Sequence, residues 1–203
     1  MGDIREKAKD ALNKYVHNKL NREYIFSVSA DDFSNFIAKE HGYNLTIEIA
    51  LGMDSLRGLV MAKNDKEVVV LLSKNNNRCW KRFTVVKEIC HFFLVDNAII
   101  KNTDTLEMSD SLMTHMAFMP NFLPKESFNK IENILAKINP LGADEAAAVI
   151  AAIEIMIPEI NKDWISDRID RGYALGQISA QLMVPNLVLE HRLKEWGLNI
   201  PLP

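Results

Sequence analysis

A chain of 203 residues, 48% hydrophobic and 25% charged, is long enough to bury one compact core with appendages, or two small ones. Its net charge of -3 argues against a surface dominated by nucleic-acid or membrane contacts, while leaving room for a local basic patch. Two cysteines, Cys79 and Cys90, are too few for a disulfide framework and suit a reduced, cytoplasmic chain.

The first residues are charged and lack the apolar centre of a signal peptide. Nowhere do about 18 apolar residues run without a charge, so no membrane span is expected. Residues 4–22 place Ala8, Ala11, Leu12, Tyr15, Val16 and Leu20 near helical spacing. A second helix is expected over 31–41, capped by Ser29 or Asp31 and closed by Gly42. The period then changes. Segments 44–51, 56–62 and 67–73 are rich in β-formers and predict a small, mainly antiparallel sheet. A polar loop, 74–78, leads into a helix from Cys79 or Trp80 to Leu94.

Residues 95–142 predict short helices broken at Pro120, Pro124 and Pro140. Asp144 opens a strongly apolar helix that stops near Pro158. Further helices are expected near 161–171, 175–183 and 186–196, the last two separated by Val184-Pro185. The fold class is therefore α+β. An N-terminal helix (1–28) precedes a main domain (29–160) with a helical insertion at 95–142, and a helical tail (161–203) follows.

Chemistry concentrates in Arg82-Phe83-Thr84-Val85-Val86-Lys87-Glu88-Ile89-Cys90-His91. Zinc peptidases carry H-E-x-x-H on a helix: two His one turn apart hold the metal, and the Glu is general base to a metal-bound water. Glu88 and His91 are in register with that motif, but Lys87 stands where the first His belongs. A protonated lysine has no lone pair to give and brings its own positive charge. Taken alone, an ExxH pair is common by chance and reads as a surface acid with a partly buried histidine.

The surrounding residues add to this. Arg82-Phe83-Thr84 precedes the pair and Phe92-Phe93-Leu94 follows it. Later come Glu145-Ala146-Ala147-Ala148 and Ala151-Ala152-Ile153-Glu154-Ile155-Met156-Ile157-Pro158, while Gly58 and Val68-Val69-Val70 lie in the strands upstream. Together, from about residue 30 onward, these resemble the ImmA/IrrE family of zincin-like metallopeptidases. The resemblance implies a zincin-like, mainly helical domain. It places Glu88 as general base, His91 as second zinc ligand and Glu145 as third, with Arg82 structural at the start of the motif helix. The chain departs from the pattern at Lys87, at Val149 where the family often has Asn, and in the longer gap between His91 and Glu145.

Lys87 and His91 are i,i+4 neighbours on one helix face. A lysine there can supply the charge that a lost cation once gave, pairing with Glu88 or Glu145, since buried carboxylates without a cation are costly. The expectation is a metal-free site with no cofactor; zinc is implied only if the protein is an active peptidase. Cys90, about 100° round the helix from His91, is expected to be a core thiol. His17, His41, His115 and His191 show no ligand spacing, and Met108, Met113, Met116 and Met119 read as packing residues. Lys74, Arg78, Lys81 and Arg82 gather near Trp80; a phosphate- or base-binding role for Trp80 and Arg82 competes with a solvated helix start.

The tail has helix-turn-helix spacing, but its second helix mixes Glu190, His191, Arg192, Lys194 and Glu195. Three functions follow. One is a pseudo-metallopeptidase that binds a protein, for example a helix-turn-helix repressor of a phage or mobile element. The second is an active zinc endopeptidase with His115 as a substitute ligand. The third is a DNA-binding regulator using Arg192 and Lys194.

Overall fold

A computed structural model of the chain describes residues 2–19, 27–51, 57–64, 66–94 and 140–198. The inserted segment up to residue 139, with His115 and the four methionines, lies outside these. Helix α1 (Gly2–Lys14) continues as a π-helical turn, Tyr15–Lys19. It buries Ala8, Ala11, Leu12, Tyr15 and Val16 of the face read from the sequence, while Leu20 lies outside the described residues. Tyr15 meets the rings of Phe33 and Phe36 edge-on at 5.4 and 5.7 Å. Those rings belong to α2 (Ala30–Glu40), whose first turn is capped by Ser29. Gly42, at φ 82°, turns the chain out of α2, a conformation that costs glycine little.

Three strands follow: β1 (Asn44–Ala50), β2 (Gly58–Asn64) and β3 (Glu67–Ser73), in the order β1-β3-β2. The sheet is mixed and not mainly antiparallel. β2 and β3 form an antiparallel hairpin, but β1 runs parallel to β3. Burial explains the order. Val68, Val69, Val70 and Leu72 of β3 are all buried, so among the described strands the most apolar one takes the centre and the more polar β1 flanks it. β2 begins at Gly58, two residues later than the sequence pattern suggests.

Helix α3 (Arg78–Leu94) lies across the sheet and against α2. Its start is fixed by Asn77, whose Oδ1 accepts the Trp80 amide at 3.0 Å. Helix α4 (Pro140–Met156) packs along α3 and α1. It begins four residues before Asp144. Pro140, expected to break a helix, stands in the first turn of this one, where its missing N–H has no carbonyl to serve. Small residues Ala148, Ala151 and Ala152 are buried and let the neighbouring helices approach.

A 3-10 turn (Glu159–Asn161) leads to α5 (Lys162–Asp170), α6 (Leu175–Leu182) and α7 (Asn186–Glu195). Met183, in the left-handed region at φ 55°, ends α6, and the Ser179 hydroxyl donates to the Asn186 side-chain oxygen across the turn. Ile165, Ile178, Leu182, Val188, Leu189 and Leu193 join the same core as α1–α4. Among the described residues no helix is long and apolar enough to cross a membrane.

Candidate functional site

Residues 83 to 90 of α3 are buried on every side. Phe83, Val86, Ile89 and Cys90 face the helical core, and Val85 packs with Val70 and Leu72 of β3. The polar residues in this run are Thr84, Lys87 and Glu88. A helix can carry such groups through its core only if they satisfy one another, because an unpaired buried charge costs several kcal/mol.

Lys87 and Glu88 offset one another's charge as an ion pair. Each is 4% exposed, and the Lys87 Nζ lies 2.8 Å from Glu88 Oε1. Adjacent helical residues point about 100° apart, so both side chains bend into one shared space between their two faces. Of the two carboxylates open to Lys87 from the sequence, Glu88 is the one it meets among the described contacts. His91, one turn beyond Lys87, is half-buried. Cys90 is fully buried, and its thiol is pushed well up by burial, with a smaller push from Glu88. That thiol is inert, as expected from its place in the core.

Glu88 also approaches the sheet. A Cβ added at Gly58 would overlap Thr84 Cγ2 and would lie 3.1 Å from the Leu71 carbonyl oxygen and 3.4 Å from Glu88 Oε1. Gly58 is thus the gap that lets α3 settle onto β2 with its carboxylate beside the strand. A glycine inside a strand pattern is the sequence signal for such a close approach.

The N-terminal end of α3 is tied down at two points. Arg82 donates to the Val28 carbonyl at 2.7 Å, joining α3 to the segment before α2. Burial, with Arg78 nearby, lowers the Arg82 pKa. Arg57 stacks its guanidinium 3.7 Å over the Trp80 ring, and Asn76 donates to the Arg57 carbonyl at 2.7 Å. Trp80 also meets Phe83 edge-on at 5.9 Å. Arg82 and Trp80 therefore brace the helix start, while Lys74 and Arg78 are exposed.

Glu145 stands in the second turn of α4, the helix that packs against α3, but its side chain lies outside the described residues. Among the described residues, no three His, Cys, Asp or Glu side chains gather to hold a metal ion. The described part of the expected donor set does not fit zinc. An ammonium occupies the first ligand position, and the carboxylate that would serve as base lies against it.

A second charged cluster had no sequence signal. Arg192 of α7 is 2% exposed; its guanidinium lies 2.9 Å from Glu154 and 3.1 Å from Glu195, and it donates to the Ile157 carbonyl. Arg5 of α1 reaches the same two carboxylates at 3.1 and 2.5 Å. Glu154, to which the sequence assigns no charged partner, is the buried centre of this cluster. His191 Nδ1 lies 3.5 Å from Glu195, and burial lowers its pKa. Arg192 is thus removed from the surface that a DNA-reading helix would present. On α7 the exposed residues are Asn186, Leu187, Lys194 and Glu195, and Lys194 pairs with the half-buried Glu190 at 2.7 Å. No protein-family model matches the chain, and no curated protein matches it.

Proposed function

We propose that this chain is a metallopeptidase-like protein of the ImmA/IrrE type in which an internal ion pair has replaced the metal, and that it works by binding a protein partner. The single observation behind this reading is the Lys87–Glu88 contact of 2.8 Å at 4% exposure. A metallopeptidase base must be free to take a proton from a metal-bound water. An ammonium against that carboxylate balances its charge and fills the electrostatic role of a cation. The supporting geometry is a helix buried between sheet and helices, with Glu88 lying against the strand at Gly58. The partner class that suits the resemblance is a helix-turn-helix repressor in phage or mobile-element regulation, met in the cytoplasm. The buried Arg192 weighs against DNA reading by α7.

Metal content tests this reading. Protein purified without chelators is measured by elemental mass spectrometry beside Lys87→His. Zinc in the Lys87→His protein alone is the expected result and identifies a cage that lost its metal through one residue. Near-stoichiometric zinc in the natural sequence overturns the metal-free reading and turns attention to peptidase activity at Glu88. Zinc in neither leaves the metal-free reading standing and means that the site has diverged beyond one ligand.

A further inference from the structure

In the charged cluster that joins α1, α4 and α7, Arg5 shares each of its acceptor atoms with another cationic side chain. Glu154 Oε2 lies 3.1 Å from Arg5 Nη1 and 2.9 Å from Arg192 Nη2. Glu195 Oε1 lies 2.5 Å from Arg5 Nη2 and 3.5 Å from His191 Nδ1. Arg192 also holds Glu195 Oε2 and the Ile157 carbonyl, which Arg5 does not touch. Arg5 is 26% exposed, against 2% for Arg192. While His191 is neutral, two guanidiniums face two carboxylates and the cluster balances. A proton on His191 adds a third cation to the same two carboxylates. Excess charge away from water is costly, and Arg5 is the cation with the best access to solvent.

The other groups around His191 do not absorb that charge. On its own helix it faces Glu195, Arg192 and Lys194, and from α1 it faces Arg5. Lys194 is paired with Glu190. Glu154 of α4 and Glu159 of the 3-10 turn lie against Arg192. Helix α6, which packs on α7, has no titratable side chain. The beginning of α1 is held mainly by Arg5. Asp3, Glu6 and Lys7 are exposed, Ile4 is only partly buried, and Ala8 buries a single methyl. The firm apolar grip comes later, at Leu12, Val16 and Tyr15, whose ring meets Phe33 and Phe36. A chain end with so few apolar contacts opens locally at less cost than the whole fold.

We propose that Arg5 is an acid-released latch: a protonated His191 donates its Nδ1–H to Glu195 Oε1, displaces Arg5, and lets residues 2–8 of α1 lift from α4 and α7 while Leu12, Tyr15 and Val16 stay docked. The coupling is reciprocal, so Arg5 in place opposes the proton and departure of Arg5 admits it. Burial is the largest influence holding His191 below its usual 6.5; Glu195 opposes it and Arg5 adds to it. The latch requires nothing of the Lys87–Glu88 site and stands apart from the metal reading.

Amide hydrogen exchange of the full chain, followed residue by residue by NMR from about pH 8 to about pH 5, is the test, since histidine changes charge in that window. The amides of Glu6, Lys7 and Ala8 bond to carbonyls of the first turn and report its lifting, while those of α3 report the core. After correction for intrinsic exchange rates, protection at residues 6–8 should fall towards acid by about tenfold, a usual size for coupling between two sites. Protection in α3 should hold. His191→Gln should abolish the dependence. Arg5→Gln should loosen residues 6–8 across the whole range and raise the midpoint of the His191 titration, read from its ring-proton shifts. Protection at residues 6–8 that ignores pH in the natural sequence overturns the proposal without any variant. A fall that α3 shares, a dependence that survives His191→Gln, or a His191 midpoint that Arg5→Gln leaves in place overturns it as well.

Discussion

Replacing Lys87 by Met tests whether the buried carboxylate of α3 depends on its neighbour. At the 2.8 Å separation of Lys87 and Glu88, Coulomb attraction at an effective dielectric of about 20 is about 6 kcal/mol. Desolvation of two ions offsets most or all of that gain, so the pair adds little net stability compared with apolar residues of the same size. The asymmetry appears when one partner is removed. Lys87→Met removes the cation beside Glu88 in a site 4% exposed, at a cost of up to about 3–5 kcal/mol. For a chain of this size that corresponds to a fall in Tm of about 10 °C. The double variant Lys87→Met/Glu88→Leu has no stranded charge and should return close to the natural stability. Urea unfolding of the natural sequence, both single variants and the double variant gives the coupling energy, provided that the slopes agree. A Lys87→Met loss below about 1 kcal/mol, or singles that simply add, would show that Glu88 is compensated by something other than Lys87.

Two further outcomes follow from the same packing. Gly58→Ala should destabilise by about 1–3 kcal/mol, because its Cβ would overlap Thr84 Cγ2. Adding Thr84→Ser removes that methyl and should recover most of the loss; equal melts for Gly58→Ala and the natural sequence would refute the close approach. The second concerns acid. Burial pushes the Glu195 carboxyl up, but the Arg5 hydrogen bond, His191 and Arg192 outweigh it and hold it below its usual 4.5. Burial also holds His191 below its usual 6.5, against an upward pull from Glu195. Both folded values lie below the unfolded ones, so the unfolded chain binds more protons and stability is lost as pH falls. The loss should begin below 6.5 through His191 and steepen below 4.5 through Glu195. Thermal melts against pH check this, and His191→Gln should flatten the upper part alone.

Local signals carried much of the fold. The apolar face of α1, the strand at 67–73, the cap at Ser29, the turn at Gly42 and the tail helices all rest on neighbours within a few residues, so spacing and turn chemistry suffice to read them. The α3 motif was visible for the same reason: Lys87, Glu88 and His91 lie on five consecutive positions of one helix. Pro140 opens a helix instead of breaking one, and the two kinds of proline look alike in sequence until the helix on the far side is known.

What required the tertiary structure was every relation across distance. Which strand is central, and hence the parallel β1–β3 pair, depends on how much of β3 the whole core can cover. The choice of Glu88 as the described partner of Lys87 depends on both side chains sharing one desolvated space, which helical spacing alone argues against. The cluster of Arg5, Glu154, Arg192 and Glu195 joins positions up to 190 residues apart. No periodicity encodes such a contact. A charge in sequence looks solvated, and only the burial created by packing makes its pairing obligatory.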